Sequence, residues 1–154
     1  MCKVNKKNLK RNTNSKNVKP HIFEIWDIDL PKYNDERDRH IQTGIRPCIL
    51  ISNDRNNTYS PNVTIIPITS QSKSLLPTHI YFNNTLAQRY GLQKESTVLC
   101  EGMTHVSKKR LLKKRGEVYD PKVILALYKG ILTQITNNSI STKILGSLLN
   151  LNSN

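Results

Sequence analysis

An arginine and a threonine stand at the ends of two apolar segments, and together they could act on an anionic group. Arg46 precedes Pro47, which biases the residue before it toward an extended conformation and so fixes where the guanidinium enters the fold. Thr69 ends the next apolar run, in which Pro67 predicts a strand edge or a bulge that exposes the threonine hydroxyl. A guanidinium fork matches the oxygens of a phosphate, and a hydroxyl can donate to the same group. The sequence therefore predicts that Arg46 and Thr69 share a site.

Both residues also have an ordinary structural interpretation. Arg46 could form a salt bridge with Glu24 or Asp27, which lie in the first apolar segment of the chain. Thr69 could be one more β-branched residue of a strand. The residue types alone leave these alternatives open.

The charge of the chain indicates a polyanionic partner. Its 154 residues carry a net charge of +13. Residues 1–20 hold seven of the 24 basic residues and none of the 11 acidic ones, which leaves +7 in this tail and +6 in the remainder. Such a balance favours fast association with nucleic acid but does not distinguish RNA from DNA, and a solvated basic surface is the alternative.

Cysteines and histidines follow no metal-binding pattern. The three cysteines form no C-x-x-C pair, and the four histidines are scattered without ligand spacing. We expect no metal, no cofactor and reduced, inert thiols in a cytoplasmic protein. No signal peptide and no run of membrane-spanning length is recognisable, so we expect no contact with a membrane.

The chain divides into three parts. Residues 1–20 predict a disordered basic tail, residues 21–136 one domain, and residues 137–154 an extension with the pattern of a short helix. Apolar segments in the domain predict at least five short strands, spaced as in a small barrel, and a charged loop over 31–44. The pair Asp120 and Pro121 predicts a helix start. The apolar stripe that would pack this helix on the barrel comprises Ile124, Leu127, Tyr128, Ile131 and Ile135.

Four linked motifs resemble one family of bacterial toxins. They are Gly44-Ile45-Arg46-Pro47 with Ser52-Asn53-Asp54 at the end of that strand, Pro67-Ile68-Thr69-Ser70, Leu76-Pro77-Thr78-His79, and Val98-Leu99-Cys100-Glu101. In this order they resemble the MazF/PemK toxins, from about Ile22 to Ile135. The resemblance implies a mainly β fold with a C-terminal helix, a small, SH3-like, partly open β-barrel of the CcdB/PemK type. It also implies a toxin of a type II toxin-antitoxin system that cleaves single-stranded RNA, mRNA above all, without a metal.

The same resemblance assigns roles to individual residues. Arg46 and Thr69 align with the catalytic arginine and threonine of the family. The RNA groove would be formed by Glu24, Ser70, Gln71, Pro77, His79, Glu101 and Gly102. His79 could stack on a base, donate a hydrogen bond, or simply face solvent at a strand start. A general base stays unassigned among Glu24, His40 and Glu101. The partners implied are single-stranded RNA, a cognate antitoxin and a second copy in a homodimer.

The chain departs from the family after Glu101. Gly102 stands where the typical member has glutamine, and Thr104 where it has arginine, so we expect one base contact to be missing and the cleavage motif to be more tolerant. Two alternatives of other classes remain: a CcdB-like inhibitor that binds DNA gyrase without catalysis, and an inactive nucleic-acid-binding barrel. Arg46 and Thr69 favour cleavage, because a gyrase binder needs neither.

Overall fold

The computed structural model describes residues 19–32, 37, 41–71, 76–136 and 146–147. The predictions for the basic tail, for His40 and for a C-terminal helix lie outside these residues almost entirely. The described elements are β1 (Glu24–Leu30), β2 (Gly44–Leu50), α1 (Asp54–Tyr59), β3 (Asn62–Thr69), β4 (His79–Phe82), α2 (Asn84–Arg89), β5 (Ser96–Leu99), β6 (Thr104–Ser107), β7 (Leu111–Glu117) and α3 (Pro121–Ile135). Short 3₁₀ turns precede β6 and β7. The five predicted strands are confirmed, and β6 and β7 add to them.

All strand pairs are antiparallel, and the sheet is curved but not closed. Its order is β4-β5-β3-β2-β1-β7, with β6 paired to β3. The path ends at β4 and β7 rather than joining them. The predicted mainly β, partly open barrel with a C-terminal helix is confirmed.

Pro67 marks a change of partner within β3. Before it, Asn62–Ile65 pair with β6; after it, Ile68 and Thr69 pair with β5, and Thr69 lies opposite Thr97. On the other side of β3, Pro67 itself lies opposite Cys48 of β2. The prediction of an edge or bulge beside Thr69 is therefore wrong on the β5 side, whereas on the other side the β2–β3 ladder ends at Pro67. The missing N–H of proline falls where one partner strand ends and the next begins, so it costs no ladder bond along a continuous pair.

Strand alternation divides the core into two clusters. On β1, Ile25 packs into a cluster with Ile49, Phe82 and Leu127, which lies between the sheet and the helices. Trp26, Ile28 and Leu30 face the other way, into a cluster within the curve of β1, β2, β3 and β6. Because successive side chains of a strand point to opposite faces, one sheet separates both clusters.

Helix α3 begins as predicted, but its buried face is shifted. Asp120 caps it by accepting a hydrogen bond from the Lys122 amide at 2.9 Å, and Pro121 occupies the first turn. Leu127 is buried, whereas Tyr128 and Ile135 are exposed, so the predicted stripe is only partly right. Gly130 lies against the sheet, where an added Cβ would come within 2.6 Å of the Cys100 sulfur. Because of this close approach, the side of α3 that carries Leu127 and Gly130 is the side that packs against the rest of the domain.

Two glycines with positive φ, Gly44 and Gly91, offer a test of the contact between the loop after α2 and strand β7. Gly44→Ala meets no atom within 4 Å, so it should cost only the backbone strain of about 1–2 kcal/mol. Gly91→Ala carries the same strain, and its Cβ would also lie 2.1 Å from the backbone oxygen of Arg115. Urea unfolding should show a clearly larger loss for Gly91→Ala. Equal losses would contradict the close contact between the loop after α2 and β7.

Candidate functional site

Acidic side chains of β1 are paired with basic side chains from β7 and the turn before it. Lys114 Nζ lies 2.6 Å from Glu24 Oε1, and Arg115 Nε lies 2.6 Å from Asp27 Oδ1. Arg110, in the turn before β7, donates to the backbone oxygen of Asp29 at 2.8 Å. The carboxylates that the sequence offered to Arg46 are thus taken by other cations, and the salt-bridge interpretation of Arg46 is wrong.

Glu24 is a buried structural carboxylate in this arrangement. Only 4% of the residue is exposed. It accepts hydrogen bonds from Lys114, from the Trp26 indole at 2.8 Å and from the His21 amide at 3.0 Å. Burial alone would raise the pKa of Glu24, but these hydrogen bonds outweigh it and lower the pKa below its usual value. Glu24 lines neither of the two cavities described below, so its predicted contact with RNA has no geometric support.

Arg46 keeps its charge available. Its Nε donates to the Thr43 oxygen at 2.8 Å, which holds the side chain at the start of β2. Within the described part of the chain, no carboxylate lies within ion-pair distance of it. Cys48 pairs with Pro67, where the β2–β3 ladder ends; Arg46 lies two residues from Cys48 on β2, and Thr69 two residues from Pro67 on β3. Opposed residues of an antiparallel pair share a face, as do residues two apart on one strand, so Arg46 and Thr69 share one face of the sheet.

Thr69 is more deeply placed than predicted. The residue is 2% exposed, and its Oγ1 accepts a hydrogen bond from the Gln71 amide at 3.2 Å. Pairing with Thr97 of β5 covers it. The expectation of an exposed hydroxyl is therefore wrong, whereas the neighbouring Ser70 and Gln71 are exposed.

A cleft of about 650 Å³ opens on the face that Pro67 shares with Thr69. It brings together three of the predicted groove residues, His79, Glu101 and Gly102. Ser70, Gln71 and Pro77 do not line it. The remaining walls are mostly apolar with a few polar groups: Leu30, Pro31, Ile41, Gln42, Pro67, Leu76, Leu99, Met103, Thr104 and His105. Such a mixture is typical of sites that bind small groups such as nucleobases.

His79 and Glu101 form an ordered pair in this cleft. The Leu76 amide donates to His79 Nδ1 at 3.3 Å, so the imidazole proton lies on Nε2, which donates to Glu101 Oε1 at 2.7 Å. Thr78 donates to the other Glu101 oxygen at 3.0 Å. The His79 side chain is almost fully buried. The interpretation of His79 as a solvent-facing residue is therefore wrong.

Gly102 leaves no room for a side chain. A Cβ at this position would lie 2.8 Å from Cγ of Pro67. A glutamine here would have to displace the Pro67 ring, so the departure from the family at position 102 is matched by the packing of this chain.

Arg46 and Ser70 line a second, smaller cavity of about 230 Å³. Its other polar residues are Gln93, Lys94, Ser96 and Arg115, and Ile45, Pro47, Ile68 and Leu92 complete it. Sequence reasoning missed Lys94, which no local signal marks. It considered Arg115 only within a basic run that could follow RNA phosphates or form a solvated face, and nothing in this run distinguishes Arg115 from the other members, Lys108, Lys109, Arg110, Lys113 and Lys114.

The side chains that could bind a metal or act as nucleophiles are scattered or buried in the described structure. Among the residues that the structure describes, no three His, Cys, Asp or Glu side chains are grouped as metal ligands. Cys48 and Cys100 are buried free thiols, and burial raises the pKa of each to about 12. Such thiols are poor nucleophiles at neutral pH. Among the described helices, none is both long and apolar enough to cross a bilayer.

A comparison with known families decides the classification. Residues 22–135 match the PemK-like, MazF-like toxins of type II toxin-antitoxin systems. The chain belongs to this family. The match spans both cavities and the helix α3, and its limits agree with the resemblance seen in the sequence.

Solved structures with the same fold include several toxins. MazF from Deinococcus radiodurans superposes with a TM-score of 0.61 at 17% identity, covering 77% of this chain and 98% of that one. An endoribonuclease from a mycobacterial species superposes with a TM-score of 0.58 at 17% sequence identity, and the match covers 77% of this chain and 92% of that one. A mycobacterial endoribonuclease solved in complex with its cognate antitoxin superposes with a TM-score of 0.58 at 18% sequence identity, and the match covers 75% of this chain and 94% of that one. At these identities the similarity establishes the PemK/MazF-like fold.

The Glu24–Lys114 pair predicts a pH-dependent stability. Because the pKa of folded Glu24 is lowered, the pair stabilises the fold above the ordinary glutamate pKa of 4.5, and this is lost as pH falls through the lowered value. Lys114→Met should reduce the free energy of unfolding by about 1 kcal/mol at neutral pH, since Lys114 is partly exposed. Urea unfolding should show this difference shrinking in acid. Lys113→Met, one residue away and exposed, is the control; an equal loss there would contradict the assignment.

Proposed function

We propose that this chain is the toxin of a type II toxin-antitoxin pair and acts as an endoribonuclease on single-stranded RNA, without a metal ion. The observation that carries the proposal is Arg46, an arginine on the same sheet face as Thr69 and without a carboxylate partner among the described residues. A guanidinium with unneutralised charge can bind a phosphate, whereas one in a salt bridge cannot do so without breaking the pair.

The reaction proposed is attack of a ribose 2′-hydroxyl on the adjacent phosphate. The attack builds extra negative charge on the phosphate oxygens, and Arg46 stabilises it with its planar fork. Thr69 donates its hydroxyl proton to the same group. Gln71 donates to the Thr69 oxygen, so the oxygen is held in place and the hydroxyl proton is left to turn toward the substrate. Because the residue is almost buried, RNA must displace its cover or enter from the Arg46 side.

A general base is needed to take the 2′-hydroxyl proton. Of the three candidates, Glu24 is buried among its own partners, and His40 lies outside the described residues. Glu101 lines the larger cleft, and its carboxylate is oriented by His79 and Thr78. This position supports Glu101, with His79 as the group that holds it or stacks on a base.

The proposed partners are a cognate antitoxin and a second copy of this chain. A cognate antitoxin would neutralise the toxin, as in the mycobacterial endoribonuclease solved with its own antitoxin. A homodimer is the proposed assembly. Large apolar side chains on and before α3 are exposed in the single chain, including Tyr119, Leu125, Tyr128 and Ile135, and exposed apolar clusters favour an interface. The cytoplasm, where mRNA lies, is the proposed location.

Metal-free cleavage is the first test. Purified protein should cut a mixed single-stranded RNA in the presence of EDTA and leave a 2′,3′-cyclic phosphate and a 5′-hydroxyl, because the nucleophile is internal to the substrate. A strand with 2′-deoxyribose at the cut site should bind and survive. Cleavage that EDTA abolishes and Mg²⁺ restores would refute the mechanism. A wild type that leaves RNA intact but inhibits gyrase supercoiling would favour the CcdB-like alternative.

Substitution of the proposed catalytic pair is the second test. Arg46→Ala should lower the single-turnover rate at saturating RNA by about 100-fold or more, and Thr69→Val should also lower it, because each removes a donor to the transition state. Thr69→Ser keeps the hydroxyl and should retain most of the rate. Arg55→Ala removes the same charge from the exposed helix α1 and serves as the control. Wild-type rates for folded Arg46→Ala would exclude the assigned role.

A further inference from the structure

The smaller cavity carries positive charge in addition to Arg46, which the proposed cleavage uses. Three of the described residues that line it are cations, Arg46, Lys94 and Arg115, and none of those described is acidic. Ser70 and Ser96 add hydroxyl groups. A cavity with this lining is suited to an anion that accepts hydrogen bonds from several directions.

Arg115 is placed there by an irregularity in the sheet. Trp26 of β1 pairs with Lys114 and the preceding Ile25 pairs with Gly116, so Arg115 is the extra residue of a bulge. A bulge bends its strand and changes the direction in which a side chain points. Without it, Arg115 would be one more member of the regular β1–β7 ladder.

Asp27 orients Arg115 without using up its donors. The bond from Nε to Asp27 Oδ1 is 2.6 Å long, and both side chains are largely buried, at 28% and 15% exposed. In the described structure this is the one hydrogen bond that the guanidinium makes. Its two terminal nitrogens keep their donors, while the buried carboxylate prevents the side chain from turning away.

A pair of glycines brings the opposite wall of the cavity to the bulge. A Cβ on Gly91 would meet the Arg115 oxygen at 2.1 Å, and a Cβ on Gly116 would meet the Tyr90 oxygen at 2.4 Å. The loop after α2 therefore lies directly on the bulge. This contact carries Lys94 to the cavity, where it has no ion-pair partner within the described residues.

We infer that the smaller cavity is a subsite for a backbone phosphate of the RNA that flanks the cleaved position, with Arg115 and Lys94 as its main donors. Arg46 borders the cavity and belongs to the proposed catalytic pair, so a strand held at Arg46 has its neighbouring phosphate within the same basic wall. The inference rests on the proposed function for its choice of ligand. Such a subsite increases affinity for any sequence, because a phosphate contact carries no base information.

Binding of a single-stranded DNA 12-mer of mixed sequence tests the subsite, because DNA has no 2′-hydroxyl and stays intact. The affinity is measured over a range of salt concentrations for the full chain. Arg115→Ala and Lys94→Ala should each weaken binding and reduce the slope of log K against log salt by about 0.7, the value for one lost phosphate contact. Arg115→Lys keeps the charge and should recover most of the slope. In cleavage of RNA, both alanine variants should raise KM far more than they lower kcat.

Arg89→Ala is the matched control. Arg89 also lies beside a carboxylate, Asp120 at 4.0 Å, but it lines neither cavity. For Arg89→Ala, the slope of log K against log salt should change by less than half as much as it does for Arg115→Ala or Lys94→Ala. Lys94→Ala keeps the test valid even if Arg115→Ala unfolds through the unpaired Asp27, because the Lys94 side chain makes no ion pair with any residue that the structure describes.

The outcomes separate this inference from the proposed function. If folded Lys94→Ala and Arg115→Ala both bind DNA like Arg89→Ala, the subsite is refuted. If they lose affinity for poly-glutamate but not for DNA, the cavity serves an acidic polypeptide, and the inference is overturned. A wild type that cuts no RNA but shows the expected slopes would refute the proposed function while upholding a phosphate subsite.

Discussion

Neutralisation of the acidic residues of β1 is the constraint on which the rest of this structure depends. Glu24 and Asp27 lie in a strand that is largely buried, and a buried carboxylate without a partner is strongly unfavourable. Their partners, Lys114 and Arg115, lie 90 and 88 residues away along the chain. The pairing fixes β7 against β1, and it leaves Arg46 without a carboxylate partner among the described residues. The charge available at the site is thus a consequence of how the fold satisfies its own carboxylates.

The ends of β2 and β3 separate two environments of different character. Pro67, on β3, lines the cleft that holds His79 and Glu101. Ile68 and Ser70 line the basic cavity, together with Arg46 of β2. One environment is suited to reading a base, because it is apolar with a few fixed polar groups; the other is suited to a phosphate. The alternation of β3 places Pro67 and Ile68 on opposite faces, so one strand borders both environments.

Local patterns predicted those features that depend on local interactions. The start of α3 was predictable because Asp120 caps and Pro121 pre-orders the same turn. Strand β1 was also predictable, because apolar and acidic residues alternate along this short segment of the sequence. Helices α1 and α2 were missed, since six residues are too few for a periodic signal.

The positions of the site residues depended on distant strands and were less predictable. The burial of Thr69 depends on Thr97 of β5, and the direction of Arg115 depends on how β7 pairs with Ile25 and Trp26. Neither pairing leaves a mark in the adjacent sequence. The resemblance to the toxin family named Arg46, His79 and Glu101 as candidate site residues because it carries such long-range information, but it could not predict the ion pairs particular to this chain.

The late position of β7 has a consequence for synthesis on the ribosome. A nascent chain emerges from its amino end, so β1 and β2 leave the exit tunnel long before Glu117 completes β7. During that interval Glu24 and Asp27 lack Lys114 and Arg115, their basic partners. Long-range contacts of this kind also form slowly. The carboxylates of β1 therefore stay without Lys114 and Arg115 until translation of the domain is essentially complete, and the final arrangement of charges around both cavities arises only then.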